Sequence, residues 1–171
     1  MGGGDKTRLP VDGASLLDRV LLALDPSAGV VVVGDERPTA RSVTWTREQP
    51  LHEGPAAAVA AGLTLVDAEV TVLLAADLPL LTASYVDRLV ASTTDTAGAV
   101  PIDAEGMLQW LCSAWPSALL RSVDWAATSS MRHGLGRLPY QCVAGGGDTG
   151  AATPWLDCDT PEDLQQARER A

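Results

Sequence analysis

Residues 70–77 read VTVLLAAD, and how this stretch folds decides the architecture of the whole chain. It is an unbroken apolar run that opens on β-branched residues and shows no polar alternation. That pattern predicts a strand covered on both faces, as in a parallel sheet. LPLL follows as a turn. TASYVDRLVAS at 82–92 then predicts a helix, with Thr82 as its N-cap. Upstream, GPAAAVAAGL at 54–63 predicts another helix, entered through a Gly-Pro pair with the proline at a tolerated first-turn position. VVVV at 30–33, closed by Gly34 and Asp35, predicts a second buried strand, and SVTWT at 42–46 a weaker one. Leu16, Leu17, Val20, Leu21 and Leu24 recur at helical spacing, which predicts a helix over 15–24 with one buried face. Helices alternating with strands predict an α/β fold of three layers around a mostly parallel central sheet.

The second half is less regular. GAVP at 98–101 and MLQWLCSAW at 107–115 read as strands around a polar turn, DAEG. PSALLRSV continues as a short helix and LPYQCV at 138–143 as a late strand. AGGGDTGAATP is a glycine-rich surface loop. TPEDLQQARER predicts a final helix, with Thr160 as N-cap, Pro161 at the first helical position, and Glu162 and Asp163 suited to the helix dipole. No repeat or linker divides residues 1–171, so a single domain is expected.

Composition narrows the functional classes. The formal net charge of −10 argues against a nucleic-acid binder, which needs a basic surface to displace counterions. It leaves room for a nucleotide ligand, held by backbone N–H groups, a cation or two and bound Mg²⁺. Cys112, Cys142 and Cys158 are odd in number and widely spaced, which argues against a zinc site or a disulfide framework. No apolar run reaches membrane-spanning length and no secretory signal opens the chain, so a cytoplasmic location is expected.

A few residues stand out chemically. Asp77 ends an apolar strand, where a carboxylate is costly unless it has a partner or lies at a sheet edge. The carboxyl ends of parallel strands are where α/β proteins hold ligands, so Asp77 is either an Mg²⁺ ligand or the cap of the following turn. Lys6, after Gly3 and Gly4 in MGGGDK, is either a phosphate contact beside closely approaching backbone or part of a mobile start. The start of the 54–63 helix offers free N–H groups to a ligand; otherwise its small residues only pack closely on a sheet. Gln109 is an exposed strand residue or a ligand contact. His52 and His133 read as surface residues, and the glycines at 145–147 as a loop.

In this order, MGGGDKTRL, EGPAAAVAAGL, LAADLPLL and DCDTPEDL resemble the molybdenum cofactor guanylyltransferase (MobA-like) family of nucleotidyltransferases. That family carries LAGGxSxRMGxDK, a GPLAG-type turn and helix, an ACDMP-type strand end and a VNTPEDL-type C-terminal helix. The resemblance spans nearly the whole chain and implies a Rossmann-like nucleotidyltransferase fold. It implies that Lys6 contacts phosphates, with Gly3 and Gly4 beside it, and that Gly54, Pro55, Ala56, Ala57 and Ala58 line the guanine end of GTP. Asp77 would bind Mg²⁺. Gln109, Asp159 and Thr160 would face a molybdopterin acceptor, Asp159 standing where the family commonly has Asn.

The family's first strand and LAGGxSxR lie outside this sequence, and Met1 coincides with the Met inside that motif. The expectation is that the natural chain begins about 15–20 residues earlier, the length of one strand and a loop. The implied reaction moves GMP from Mg²⁺-GTP to molybdopterin and releases pyrophosphate, with proteins of the same cofactor pathway as partners. Two alternatives stand beside it: a related transferase using CTP or another phosphorylated acceptor, and a domain that binds nucleotide or a partner without turnover.

Overall fold

The computed structural model describes residues 10–11, 13–50, 53–144 and 154–155. A two-residue hairpin, β1 (Pro10–Val11) and β2 (Ala14–Ser15), leads directly into α1 (Leu16–Leu22). Ser15 caps this helix: its Oγ accepts from the Asp18 N–H at 3.1 Å and donates to Asp18 Oδ2 at 2.7 Å. The chain continues through β3 (Val31–Val33), β4 (Thr44–Thr46), α2 (Pro55–Leu63), β5 (Val70–Leu74) and α3 (Ala83–Ser92). Then come β6 (Gly98–Ile102), β7 (Cys112–Pro116), α4 (Ser117–Arg121), α5 (Met131–Leu135) and β8 (Tyr140–Ala144).

Four strands form the main sheet in the order β5-β7-β6-β8. β7 is antiparallel to both β5 and β6, while β6 and β8 run parallel, so β5, β6 and β8 point one way and β7 the other. β3 and β4 pair in parallel as a separate two-stranded unit among the described residues. Val31–Val33 is half-buried throughout rather than sealed on both faces as the valine run predicts. It packs against α2, where Gly62 lets the helix approach the Val33 side chain closely. Arg41 fixes the entry to this unit by donating to the carbonyls of Asp25 (2.9 Å), Pro26 (2.9 Å) and Ala28 (2.8 Å).

The period-two geometry of strands sorts the core into two layers. Val72, Leu74, Cys112 and Ala114 pack with Val20 of α1 and with Tyr85, Val86 and Leu89 of α3 on one face. Leu73, Val100 and Trp115 pack with Ala56 and Leu63 of α2, Leu120 of α4, and Met131 and Leu135 of α5 on the other. Helices on both faces of a sheet are the three layers expected. Fully burying a leucine such as Leu16, Leu21 or Leu89 contributes about 1.5–3 kcal/mol, which is what holds α1 and α3 in place.

Several elements differ from expectation: the 15–24 helix is Leu16–Leu22, the 70–77 strand stops at Leu74, and the 138–143 strand is Tyr140–Ala144. The weaker strand expected at 42–46 is confined to Thr44–Thr46. The segment at 107–111 is a connection, with strand beginning only at Cys112. Residues 125–135, where the sequence pattern predicts no element, hold a 3-10 turn (Trp125–Ala127) and α5, capped by Ser130 Oγ. The helix expected from TPEDLQQARER, the loop at 145–147, Gly3, Gly4, Lys6, His52, Asp159 and Thr160 lie outside the described residues.

Candidate active site

The strand part of VTVLLAAD stops at Leu74, so Asp77 stands three residues further on, in the turn toward α3. Ala75 extends the pairing by one step, its N–H donating to the Leu111 carbonyl at 2.8 Å. Leu78, Leu80 and Leu81 are buried directly after Asp77, and the Leu81 N–H closes back on the Leu78 carbonyl at 3.3 Å. From the α1 side, Arg19 Nε donates to the Pro79 carbonyl at 3.2 Å. The half-buried Asp77 is therefore held by a turn whose apolar residues are locked in the core, the kind of support a preorganised site needs.

Gly54 enters α2 with φ +89° and ψ −174°, a conformation that is essentially restricted to glycine. Pro55 follows at the first helical position. Among the described residues no side chain caps this helix start, so none of them takes its leading N–H groups. Ala56 packs into the apolar cluster that also receives Leu108, Trp110 and Leu111 from the β6–β7 connection. The start of α2 and that connection thus rest on one core.

Gln109 lies in the β6–β7 connection and not in a strand. Asp103 is the reason. Its Oδ1 accepts from the Met107 N–H at 2.7 Å and the Glu105 N–H at 3.1 Å, and its Oδ2 accepts from Gln109 Nε2 at 2.8 Å. Gly106, at φ +83°, completes the turn. The Gln109 N–H donates to the Pro101 carbonyl at 2.9 Å, and its own carbonyl accepts from the Cys112 N–H at 3.1 Å. Leu74 pairs with Cys112, so Asp77 and Gln109 each stand three residues from that pair, at the carboxyl end of β5. β6 ends at this same edge, and β8 does too, with Ile102 opposite Ala144. Asp77, Asp103 and Gln109 are brought to one edge of the sheet, where α/β proteins place ligands. Asp103 went unnoticed in the sequence; its signal was an Asp opening a DAEG turn six residues before a polar side chain in an apolar run.

His133 is half-buried on α5, where its backbone N–H donates to Ser130 Oγ at 3.2 Å. Cys112 and Cys142 are free thiols, the first buried and the second exposed. Among the described residues no three His, Cys, Asp or Glu side chains gather as a metal cage. The single carboxylate of Asp77 in its pinned turn is the kind of donor Mg²⁺ takes, since that ion uses one or two carboxylates and fills its remaining positions with water and substrate phosphates. No helix among the described residues is long and apolar enough to cross a membrane.

The α/β sheet with helices on both faces has the Rossmann-like fold of the nucleotidyltransferases on which it superposes. The 2-C-methyl-D-erythritol 4-phosphate cytidylyltransferase of Thermus thermophilus superposes with a TM-score of 0.76 at 22% identity, over 98% of this chain and 93% of that one. Molybdopterin-guanine dinucleotide biosynthesis protein A from Archaeoglobus fulgidus superposes with a TM-score of 0.72 at 18% identity, over 98% and 90%. In sequence, residues 1–141 match the MobA-like NTP transferase domain, and the chain belongs to that family. It is a nucleotidyltransferase. A molybdenum cofactor guanylyltransferase of Mesorhizobium japonicum is 27% identical over 186 aligned positions, covering 98% of this chain and 88% of that protein.

Proposed function

We propose that this chain transfers GMP from Mg²⁺-GTP to molybdopterin in the cytoplasm, releasing pyrophosphate. The observation that carries the reading is Asp77 in its locked turn at the carboxyl edge of β5. The similarity to the Mesorhizobium guanylyltransferase supports the choice of substrates. Asp77 would hold the Mg²⁺. When bound, that ion supplies Lewis-acid stabilisation of the phosphate oxygens.

The rest of the chemistry falls to the chain's own groups. Lys6, with the Gly3 and Gly4 backbone, offsets charge on the phosphates. Gly54, Pro55, Ala56 and Ala57 receive the guanine end, where the uncapped start of α2 offers N–H donors. Gln109, Asp159 and Thr160 face the acceptor. A phosphate oxygen of molybdopterin attacks the α-phosphorus in line, a new P–O bond forms, and the bond to the β-phosphate breaks with its electron pair leaving on pyrophosphate. The attacking phosphate is already ionised, so no general base is needed. The protein positions the reactants and stabilises charge.

A second reading keeps the fold and exchanges the base for cytosine. It is favoured by the fold likeness to the Thermus cytidylyltransferase. Thermal denaturation with Mg²⁺ and each of GTP, CTP, ATP and UTP tests the choice, since a ligand of the folded state raises its apparent stability. The proposal expects the largest shift with GTP, and molybdopterin guanine dinucleotide as product once molybdopterin is added. A larger shift with CTP and a cytidylyl product would replace it with the second reading.

A further inference from the structure

The carboxylate of Asp103 divides its work between two partners. Oδ1 takes the backbone N–H groups of Glu105 and Met107 and so fixes the turn; Oδ2 takes the side-chain amide of Gln109. An ionised carboxylate only accepts hydrogen bonds, so the group facing it must be the amide NH₂. This settles the orientation of Gln109, because only one of the two ways round satisfies the network. Oε1 is then the open end: it has no partner among the described residues and is not a buried orphan. The Gln109 backbone is also tied on both sides, to Pro101 and to Cys112. Side chain and main chain are both set before any ligand arrives.

Resting on the transferase reading above, we propose that Asp103 is a positioning residue that presents Gln109 as a hydrogen-bond acceptor to the acceptor substrate. Donation from the NH₂ to a carboxylate polarises the amide and enriches the negative charge on Oε1. Such an oxygen repels phosphate or carboxylate and attracts an N–H or O–H donor. The part of the acceptor met here is therefore its neutral, donor-bearing end, an amino or ring N–H group, while its phosphate lies toward Asp77. An acceptor that is phosphate and aliphatic chain alone has nothing to offer Gln109.

Paired amide and carboxylate exchanges test this. In Asp103→Asn, Oδ1 still accepts from Glu105 and Met107, but the new NH₂ faces Gln109. Gln109 must turn over and expose its own NH₂, reversing the polarity shown to substrate. The expected result is a rise of about tenfold in the KM for molybdopterin, the loss of one good hydrogen bond, with the KM for GTP within about twofold and an unchanged melting temperature. Adding Gln109→Glu to Asp103→Asn puts an oxygen outward again and should recover most of the loss. Gln109→Met leaves the Asp103 turn bonds in place and should raise the molybdopterin KM by a similar factor.

An unchanged molybdopterin KM in Asp103→Asn or Gln109→Met, or a double variant no better than Asp103→Asn, overturns the inference while the transferase reading stands. Absence of guanylyl transfer by the wild-type chain overturns that reading and takes the inference with it.

Discussion

Gly98 of β6 lies against the indole ring of Trp115 in β7, so closely that a Cβ built on the glycine would fall 2.6 Å from ring atom Cδ2. Trp115 is fully buried, and its Nε1 donates to Ser113 Oγ at 2.7 Å, which donates in turn to the Trp110 carbonyl at 2.6 Å. The ring therefore cannot swing aside without abandoning buried hydrogen bonds. We predict that Gly98→Ala destabilises the fold by about 1–3 kcal/mol, the usual cost of forcing atoms into a packed core. Urea unfolding followed by tryptophan fluorescence measures it. An unchanged midpoint would mean the sheet absorbs the methyl group.

Gly54 makes the opposite case, because a Cβ there meets nothing within 4 Å. Its constraint is purely torsional, at φ +89°. Gly54→Ala should cost about 1–3 kcal/mol if the entry to α2 is kept. If the entry relaxes instead, stability is preserved and the GTP affinity falls. Measuring the melting temperature and the KM for GTP together reads the outcome, and one of the two must move.

Asp77→Ala should leave the fold intact, since the buried leucines at 78, 80 and 81 secure the turn without the carboxylate. Guanylyl transfer should drop by at least about a hundredfold, the scale of losing one charge-stabilising group. Circular dichroism and a single-turnover assay check the two halves. Mg²⁺-dependent transfer at the wild-type rate would refute the metal assignment.

Burial pushes the Cys112 thiol from its ordinary 9.0 up to about 12. The folded value lies above the unfolded one, so the neutral thiol's contribution to stability is complete below about pH 9. It is lost as pH rises toward 12. The unfolding midpoint should therefore decline above about pH 9, and decline less steeply in Cys112→Ala. In a Cys158→Ser background at about pH 8, a thiol reagent should modify the exposed Cys142 rapidly and Cys112 only on unfolding.

Much of the fold was legible because local signals agreed. The apolar run ending at Leu74, the Gly-Pro entry to α2 and the Thr82 cap of α3, whose Oγ1 accepts from the Tyr85 N–H at 3.3 Å, each act within a few residues. The insertion of β7 between β5 and β6 was hidden, because an apolar strand reads the same in either direction and its neighbours are chosen by distant pairing. α5 escaped because five residues are too few to show a period; only Ser130 ahead of Met131 and Leu135 marked it. At the site, Asp77 announced itself as a carboxylate at the end of buried chain. Asp103 did not, since its meaning depends on Gln109, which a turn of unknown shape had yet to bring back.

The reversed direction of β7 has a consequence for how such an enzyme changes over time. A strand running against its neighbours brings the chain to the carboxyl edge through one hairpin, the Asp103–Gln109 turn, rather than through a helix that must also cover a face of the sheet. Within that hairpin Leu108 rests on the core beneath α2, but the polar Asp103 and Gln109 are not part of that core, and the turn that holds Asp77 belongs to a different strand. Asp103 and Gln109 sit on one connection and Asp77 on another, so the polar groups of either can be exchanged without rebuilding the strand that carries the other.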